Sequence, residues 1–239
     1  NIRQDYYVGN VLGQFGGNMD YKDQKRAYPE KDCKVIAIIN QKGGVGKSTT
    51  AVNLTAALGE TKKKVLLIDF DPQGNATSGY GIEKEELEHD IYDVILNEYF
   101  IKDLILPTPE ERVFVVPATI QLAGAEIELV NKENREYVLK KAIEEVKDEF
   151  DYVFIDCPPS LGLLTINAFV AADSLLVPIQ CEYYALEGVS KLLESMAMVQ
   201  SNLNPDLEVF GVVMTMFDSR TTLSKQVVEE VSNYFGNKM

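Results

Sequence analysis

The chain of 239 residues carries 37 acidic and 23 basic side chains, a formal net charge of −14, and 46% of its residues are hydrophobic. This composition excludes a disordered polymer and favours one α/β domain with a sizeable core. No apolar run approaches the ~20 residues that a membrane span needs. The three cysteines are far apart and odd in number, which argues against a disulfide framework and predicts a cytoplasmic protein.

Residues 1–32 are polar, rich in Gly, Asn and Tyr, and without a sustained period. Their five basic and five acidic side chains cancel, so the whole net charge belongs to the remainder of the chain. We expect residues 1–32 to form a flexible N-terminal extension and residues 33–239 to form the folded domain.

A glycine-rich loop, NQKGGVGKST over residues 40–49, follows the short β-branched run Lys34–Ile39. Small residues let backbone N–H groups converge on anionic oxygens. Lys47 can reach the β- and γ-phosphates of a nucleotide, and the Ser48 hydroxyl can ligate Mg²⁺. The loop departs from the strict phosphate-binding pattern, because Gln41 replaces the first glycine and a second lysine, Lys42, precedes the usual one. The residues predicted to contact the nucleotide are Gly43, Gly44, Val45, Gly46, Lys47, Ser48 and Thr49.

After this loop, Ser48–Gly59 is predicted to be a helix that ends at Gly59. Strand, glycine loop and helix in this order suit a phosphate site, since the helix N-terminus adds partial positive charge. The alternative is a chance glycine loop at a strand–helix turn. The acidic strand ends that follow disfavour it.

The second informative stretch is VLLIDFDPQGN over residues 65–75. Val65–Ile68 is predicted to be a buried strand, with Asp69 and Asp71 at its carboxyl end, where open α/β sheets bind ligands. One aspartate there can hold a metal ion or its waters, and a second can orient or deprotonate an attacking water. The alternative is that residues 71–74 form only a turn, for which Asp-Pro and Gly are ordinary residues.

The third stretch, YVFIDCPPS over residues 152–160, has the form of a strand that ends in a metal-holding aspartate, Asp156. Pro158 and Pro159 forbid continuation as strand or helix, so the chain must turn at the carboxyl edge of the sheet.

The remaining elements alternate between strand and helix, which predicts an α/β fold with a doubly wound, mostly parallel sheet. Further strands are predicted near residues 112–116, 152–155, 174–179 and 209–214, and further helices near 76–97, 121–130, 132–149, 162–172, 185–202 and 222–235.

Three stretches together resemble the motifs of the ParA/MinD family of deviant Walker A P-loop ATPases: KGGVGKST, VLLIDFDPQGNATSG and FIDCPPSLGLLTINA. The resemblance runs from about Cys33 to the end of the sequence. PATIQLAGAEIEL and PIQCEYYALEG further resemble the family's chromosomal ParA branch, often called Soj. The resemblance implies Mg²⁺-dependent ATP hydrolysis. Lys42 would reach across a nucleotide-sandwich homodimer to the partner's ATP, with Lys47 and Asp71 also serving catalysis. The residues implied for the metal are Ser48, Asp69 and Asp156.

The same resemblance implies DNA partitioning: an ATP-bound homodimer that binds duplex DNA without sequence preference, associates with the nucleoid and is stimulated by a ParB-type protein. Arg220, in MTMFDSRTTLSK, matches a family arginine that contacts DNA, and Lys225 lies nearby in the sequence. The alternative for Arg220 is a surface arginine in a strand–helix loop. The overall acidity of the chain opposes nucleic-acid binding.

Residues 83–112 hold ten acids against three bases. They predict either a solvated acidic face or a docking surface for the basic N-terminal segment of a ParB-type partner.

Two other functions stay open from sequence: a MinD-type membrane-associated ATPase, and a nucleotide-gated scaffold in which hydrolysis is secondary. A P-loop kinase is disfavoured, because Lys42 has no use there. ParA relatives continue beyond a helix like 222–235 with another strand, a loop and a C-terminal helix. We therefore expect a domain that is truncated at its C-terminus, and the amphipathic C-terminal helix of a MinD-type protein cannot be tested on this sequence.

Overall fold

Seven strands form one sheet in a computed structural model that describes residues 33–96, 98–183 and 185–238. The extension predicted over residues 1–32 lies outside the described residues. The strands run in the spatial order β3-β4-β2-β5-β1-β6-β7, and all neighbours are parallel except β3 and β4. Their bounds are β1 Lys34–Ile38, β2 Val65–Asp69, β3 Leu106–Pro107, β4 Val113–Val116, β5 Tyr152–Asp156, β6 Ser174–Gln180 and β7 Glu208–Thr215.

Helices cover both faces of the sheet. Along β1, Val35 and Ala37 join one hydrophobic cluster, while Ile36 and Ile38 join the other, as expected when successive side chains of a strand point to opposite faces. This arrangement confirms the doubly wound, mostly parallel α/β fold. The α-helices are α1 Lys47–Glu60, α2 Asn75–Gly79, α3 Ile91–Ile95, α4 Leu122–Glu128, α5 Val138–Glu144, α6 Leu163–Ala171, α7 Glu187–Asn202 and α8 Thr222–Phe235.

The prediction of one continuous helix over residues 132–149 is wrong. Asn134 has a left-handed backbone, with φ of 54°, and a 3₁₀ turn over Arg135–Tyr137 precedes α5. The buried side chain of Asn167 on α6 bonds to this break: its amide donates to the Arg135 carbonyl at 2.8 Å, and its carbonyl accepts from the Leu139 N–H at 3.2 Å. A tertiary contact therefore satisfies the backbone groups that a continuous helix would pair.

The segment predicted as helical near residues 76–97 consists of α2, a 3₁₀ turn over Lys84–Glu86 and α3. Asp90 caps α3, where it accepts a hydrogen bond from the Tyr92 N–H at 2.7 Å and forms a capping box with Asp93. These two carboxylates of the acidic stretch therefore hold local structure. The short antiparallel edge strand β3 was not predicted.

Gly59 does not end α1, which continues to Glu60. A β-carbon on Gly59 would lie 2.7 Å from Cγ2 of Val113, so the glycine allows the helix to approach β4 closely. The positive φ of 67° occurs instead at Lys62, beyond the end of the helix.

None of the helices in the described part of the chain combines the length and apolar character needed to cross a membrane.

Candidate active site

A cleft of about 670 Å³ opens at the carboxyl edge of the sheet. Strands β1, β2 and β5 are neighbours there, with Ile38 and Asp69 both in register with Asp156, so the three motifs converge as predicted. The cleft is lined by Gly43, Gly44, Gly46, Lys47, Ser48, Thr49, Val52, Asn53, Asp71, Gln73, Asn75, Gly79, Pro159 and Met216.

The glycine loop forms an open cradle. Gly44 and Gly46 have φ of 75° and 89°, a conformation that L side chains rarely adopt. A β-carbon on Gly43 or Gly44 would meet no atom within 4 Å, which leaves the space above the loop free for a ligand. No side chain caps α1 at Gly46, so the backbone N–H groups of its first turn are available to an anion.

Val45 is the exception among the predicted nucleotide-contacting residues, since it does not line the cleft. Its side chain is 1% exposed, and its carbonyl accepts a hydrogen bond from the Thr215 hydroxyl at 2.7 Å. Any contribution of Val45 to nucleotide binding therefore comes through its backbone.

Lys47 is a buried cation at the floor of the cleft, 7% exposed. Its Nζ donates to the carbonyl of Lys42 at 3.2 Å. Burial lowers the pKa of Lys47, and the nearby Asp156 and Asp71 carboxylates oppose that shift. The Lys42 carbonyl is a neutral partner for this ammonium group. A phosphate that enters the cleft would give the ammonium group a negatively charged partner instead.

Asp69 and Asp156 are fully buried neighbours on adjacent strands. One oxygen of Asp69 accepts hydrogen bonds from the Thr77 N–H and hydroxyl, both at 2.7 Å, and the other accepts from the Asp71 N–H at 3.3 Å. Burial raises the pKa of Asp69 to about 6. Burial and then the adjacent Asp69 raise the pKa of Asp156 well above its ordinary value. The Ser48 hydroxyl lies close enough to Asp156 to oppose this rise in its pKa, although the two groups do not meet the geometric criteria of a hydrogen bond.

The donor set fits a magnesium ion held jointly with a nucleotide. Both oxygens of Asp156 are buried, and no described residue donates a hydrogen bond to either of them. The described residues contain no group of three or more His, Cys, Asp or Glu side chains arranged as a metal site. Mg²⁺ beside phosphates needs only one or two protein ligands, because phosphate and water oxygens complete its shell. Ser48 and Asp156 suit that role, whereas the oxygens of Asp69 are already engaged.

Asp71 lines the cleft and is 6% exposed. One of its oxygens accepts a hydrogen bond from the Gln73 N–H at 3.0 Å, and the Gly74 N–H bonds to its carbonyl at 2.8 Å. The turn predicted for residues 71–74 is therefore present together with the carboxylate in the cleft. The two interpretations of this stretch are compatible.

Lys42 does not line the cleft of its own chain. Its side chain is 50% exposed, and Nζ forms an ion pair with Glu182, in the loop after β6. The Lys42 N–H donates to the Asn40 side chain at 3.0 Å, and the Asn40 amide in turn donates to the Pro178 carbonyl at 2.8 Å. The backbone of Lys42 is thus anchored to β6, while its ammonium group sits at the surface.

Arg220 lies outside the cleft, in the loop between β7 and α8, with 87% of its side chain exposed. Its Nε and Nη2 bond to Asp218, and this pairing lowers the pKa of Asp218 to about 2. A DNA phosphate would therefore have to compete with a carboxylate for this guanidinium group.

Three residues with a place at the site were missed from sequence: Thr77, which holds Asp69, Glu182, which holds Lys42, and Thr215, which holds Val45. Thr215 ends a parallel strand, so the same strand-end rule that selected Asp69 could have found it.

Comparison with known proteins agrees with this site. A family model described as an AAA domain matches residues 33–209. The chain is 59% identical over 206 residues to the sporulation initiation inhibitor protein Soj of Bacillus subtilis, covering 86% of this chain and 81% of that protein. It is 54% identical over 202 residues to the chromosome partitioning protein ParA of Myxococcus xanthus, covering 84% and 71%.

A solved structure shows the same fold. The cobyrinic acid a,c-diamide synthase of Mycobacterium smegmatis, with bound ATP analog and magnesium, superimposes with a TM-score of 0.82 at 42% identity and covers 86% of this chain and 84% of its own. The glycine cradle, the buried Lys47 and the unpartnered Asp156 are the parts that such a ligand pair requires. The chain therefore belongs to the ParA/MinD family of P-loop ATPases, enzymes whose cofactors are ATP and Mg²⁺.

Proposed function

We propose that this ATPase partitions DNA through an ATP-dependent homodimer. The observation that carries the proposal is the position of Lys42: it belongs to the nucleotide loop, yet it does not line the cleft of its own chain, and its ammonium group pairs with Glu182. A cation so placed is of use to a nucleotide on a second copy of the chain that faces the same edge of the sheet.

Within one subunit, the glycine loop and the first turn of α1 bind the phosphates, and Lys47 exchanges the Lys42 carbonyl for phosphate oxygens. Ser48 and Asp156 would hold Mg²⁺, and the bound ion would offset charge on the phosphate oxygens. Asp69 and Asp156, whose buried charges oppose each other, would be ionised more readily beside such a cation.

Asp71 is the residue that we assign to the attacking water. It is the carboxylate that lines the cleft, and the Gln73 N–H fixes one of its oxygens. A carboxylate so held can orient a water or accept its proton during phosphoryl transfer.

Dimerisation requires Lys42 to leave Glu182 for the partner's ATP. The pair is half exposed, and such surface ion pairs contribute only about 0–1 kcal/mol, so ATP phosphates can replace it. Because the lysine is needed only when nucleotide is present, ATP binding and association of two subunits are thermodynamically linked.

The partitioning role rests on the relatives named Soj and ParA, which are more similar to this chain than the cobyrinic acid a,c-diamide synthase is. We propose nonspecific duplex DNA and a ParB-type protein as partners, with the nucleoid as the site of action. Arg220 is the DNA contact that we assign, because its guanidinium group is exposed. The exposed acids Glu85, Glu86, Glu110 and Glu111 are the docking surface that we assign to a basic segment of the ParB-type partner.

The DNA-binding proposal predicts that Arg220→Ala weakens binding to all duplex sequences alike. Phosphate contacts carry no base information, and one lost contact lowers the salt dependence by about one unit of slope. Arg112→Ala is the matched control, since this exposed arginine precedes β4 at the opposite edge of the sheet. Fluorescence anisotropy with labelled duplexes, with and without a slowly hydrolysed ATP analogue and Mg²⁺, measures these affinities.

Two outcomes would contradict the proposal. Equal affinity for DNA with and without nucleotide would show that ATP does not control DNA binding. Binding to anionic liposomes in place of DNA would instead favour a MinD-type membrane function.

A further inference from the structure

The Thr215 side chain connects the last strand of the sheet to the nucleotide loop. Thr215 ends β7, is 1% exposed, and donates its hydroxyl hydrogen to the Val45 carbonyl at 2.7 Å across 170 residues of sequence. Its own carbonyl accepts from the Cys181 N–H at 3.0 Å. Thr215 is therefore fixed by its backbone on one side and holds the loop with its side chain on the other.

This hydrogen bond sets the orientation of a peptide group in the cradle. The Val45 carbonyl and the Gly46 N–H belong to one planar trans peptide unit, in which they point in opposite directions. When the carbonyl is held toward β7, the Gly46 N–H turns away from β7. Gly46 lines the cleft, so an N–H that turns away from β7 at this position can meet a phosphate that enters the cleft.

The methyl group of Thr215 supports the same arrangement. A β-carbon on Gly46 would lie 3.6 Å from Cγ2 of Thr215, so the methyl packs directly against this glycine. A β-branched residue in a strand has a restricted χ1, which fixes the hydroxyl toward Val45. Glycine adopts the φ of 89° at position 46 without strain, and since it has no side chain, the Val45–Gly46 peptide is oriented by bonds from its neighbours, of which the Thr215 hydroxyl supplies one.

We propose that Thr215 is a positioning residue for ATP: it holds the Val45–Gly46 peptide so that the Gly46 N–H donates to a phosphate oxygen. The proposal rests on the assignment of ATP to this cleft. Thr215 itself touches neither the phosphates nor the metal. Its effect is to preserve the bound orientation of a flexible glycine loop before ATP arrives.

The test compares Thr215→Val, which keeps the shape and loses the hydroxyl, with Thr215→Ser, which keeps the hydroxyl. Calorimetric titration with ATP and Mg²⁺ should give a Kd about tenfold higher for Thr215→Val, since one oriented hydrogen bond is lost. Thr215→Ser should stay within about threefold of wild type. Thermal unfolding without nucleotide, monitored by circular dichroism, reports the stability of each variant.

Thr55→Val is the matched control, because Thr55 is also fully buried and donates to a backbone carbonyl, that of Ala51 at 2.7 Å. It should lower the midpoint of thermal unfolding without changing the Kd for ATP. If Thr215→Val behaves in the same way, with a lowered midpoint and an unchanged Kd, the positioning role is overturned. It is also overturned if Thr215→Ser binds as weakly as Thr215→Val, since the hydroxyl would then not be the group that matters.

These outcomes differ from a failure of the ATP assignment, in which the wild-type protein itself would show no heat of binding. If Thr215→Val does not fold, Thr215→Ser and Thr215→Ala still decide the question. The serine variant must bind ATP more tightly than the alanine variant for the proposal to stand.

Discussion

Lys47→Ala is expected to abolish measurable ATP binding, with a loss of affinity on the order of 100-fold, or ~2.7 kcal/mol. Lys47 is the buried cation of the cleft, and its hydrogen-bond acceptor among the described residues, the Lys42 carbonyl, is a neutral group that phosphate oxygens would replace. Since alanine leaves every glycine of the loop in place, the loss would report the Lys47 side chain, which supplies the ammonium group for the phosphates. Titration with a fluorescent ATP analogue in the presence of Mg²⁺ measures it.

Lys141→Ala is the matched control, because this lysine is exposed on α5, away from the cleft. It should bind ATP as the wild type does. If Lys47→Ala retained wild-type affinity, the assignment of the phosphate site to this loop would be wrong.

Asp71→Ala is expected to keep ATP binding and to reduce phosphate release by about 100-fold or more, the usual contribution of a positioned acid or base. The carboxylate lines the cleft but lies on a different loop from the glycine cradle, so its removal leaves the phosphate contacts in place. Since hydrolysis is what separates the proposed dimer, the variant should also accumulate as an ATP-bound dimer. A coupled phosphate-release assay at saturating ATP measures the first effect.

Asp71→Asn distinguishes a catalytic role of the Asp71 carboxylate from its structural role in the turn. An asparagine side chain can still accept the hydrogen bond that the Gln73 N–H donates to Asp71 at 3.0 Å, but it cannot take a proton from water. We expect this variant to be as slow as Asp71→Ala. If it hydrolysed ATP at the wild-type rate, the carboxylate would serve only the turn.

Most of the sheet could be predicted because its strands are short, buried runs of β-branched residues. β1, β2 and β5 read as continuous apolar segments, and each leads into a polar residue or glycine loop at the carboxyl edge. The helix α8, Thr222–Phe235, lies where a helix was predicted near residues 222–235, and the structure shows Thr221 as its cap and Gly236 directly after its end. Local signals determine these elements.

The errors in secondary structure arose where tertiary contacts override local preference. The break before α5 depends on Asn167, which is far away in the sequence and joins it only in the fold. Gly59 has the residue type of a helix stop, yet its role is close packing against Val113. Neither contact leaves a periodic signal in its own segment.

The motifs of the site were predicted from the sequence, but the hydrogen bonds and ion pairs between their side chains were not. The glycine loop, Asp71 and Asp156 follow from the strand-end rule and from the resemblance. That Asp69 is engaged with Thr77 while Asp156 is unpartnered depends on side-chain geometry, which residue type alone does not determine. The pairing of Lys42 with Glu182 joins two loops that are 140 residues apart.

Sedimentation velocity of wild type and Lys42→Gln with ATP and Mg²⁺ determines whether ATP joins two copies of this chain through Lys42. Glutamine keeps the polarity of the side chain, is one atom shorter and removes the charge. We expect an ATP-dependent dimer for wild type and for the control Lys141→Gln, and a monomer that still binds ATP for Lys42→Gln. If Lys42→Gln dimerises with ATP as well as the wild type does, Lys42 is not the contact between the subunits and the account is contradicted.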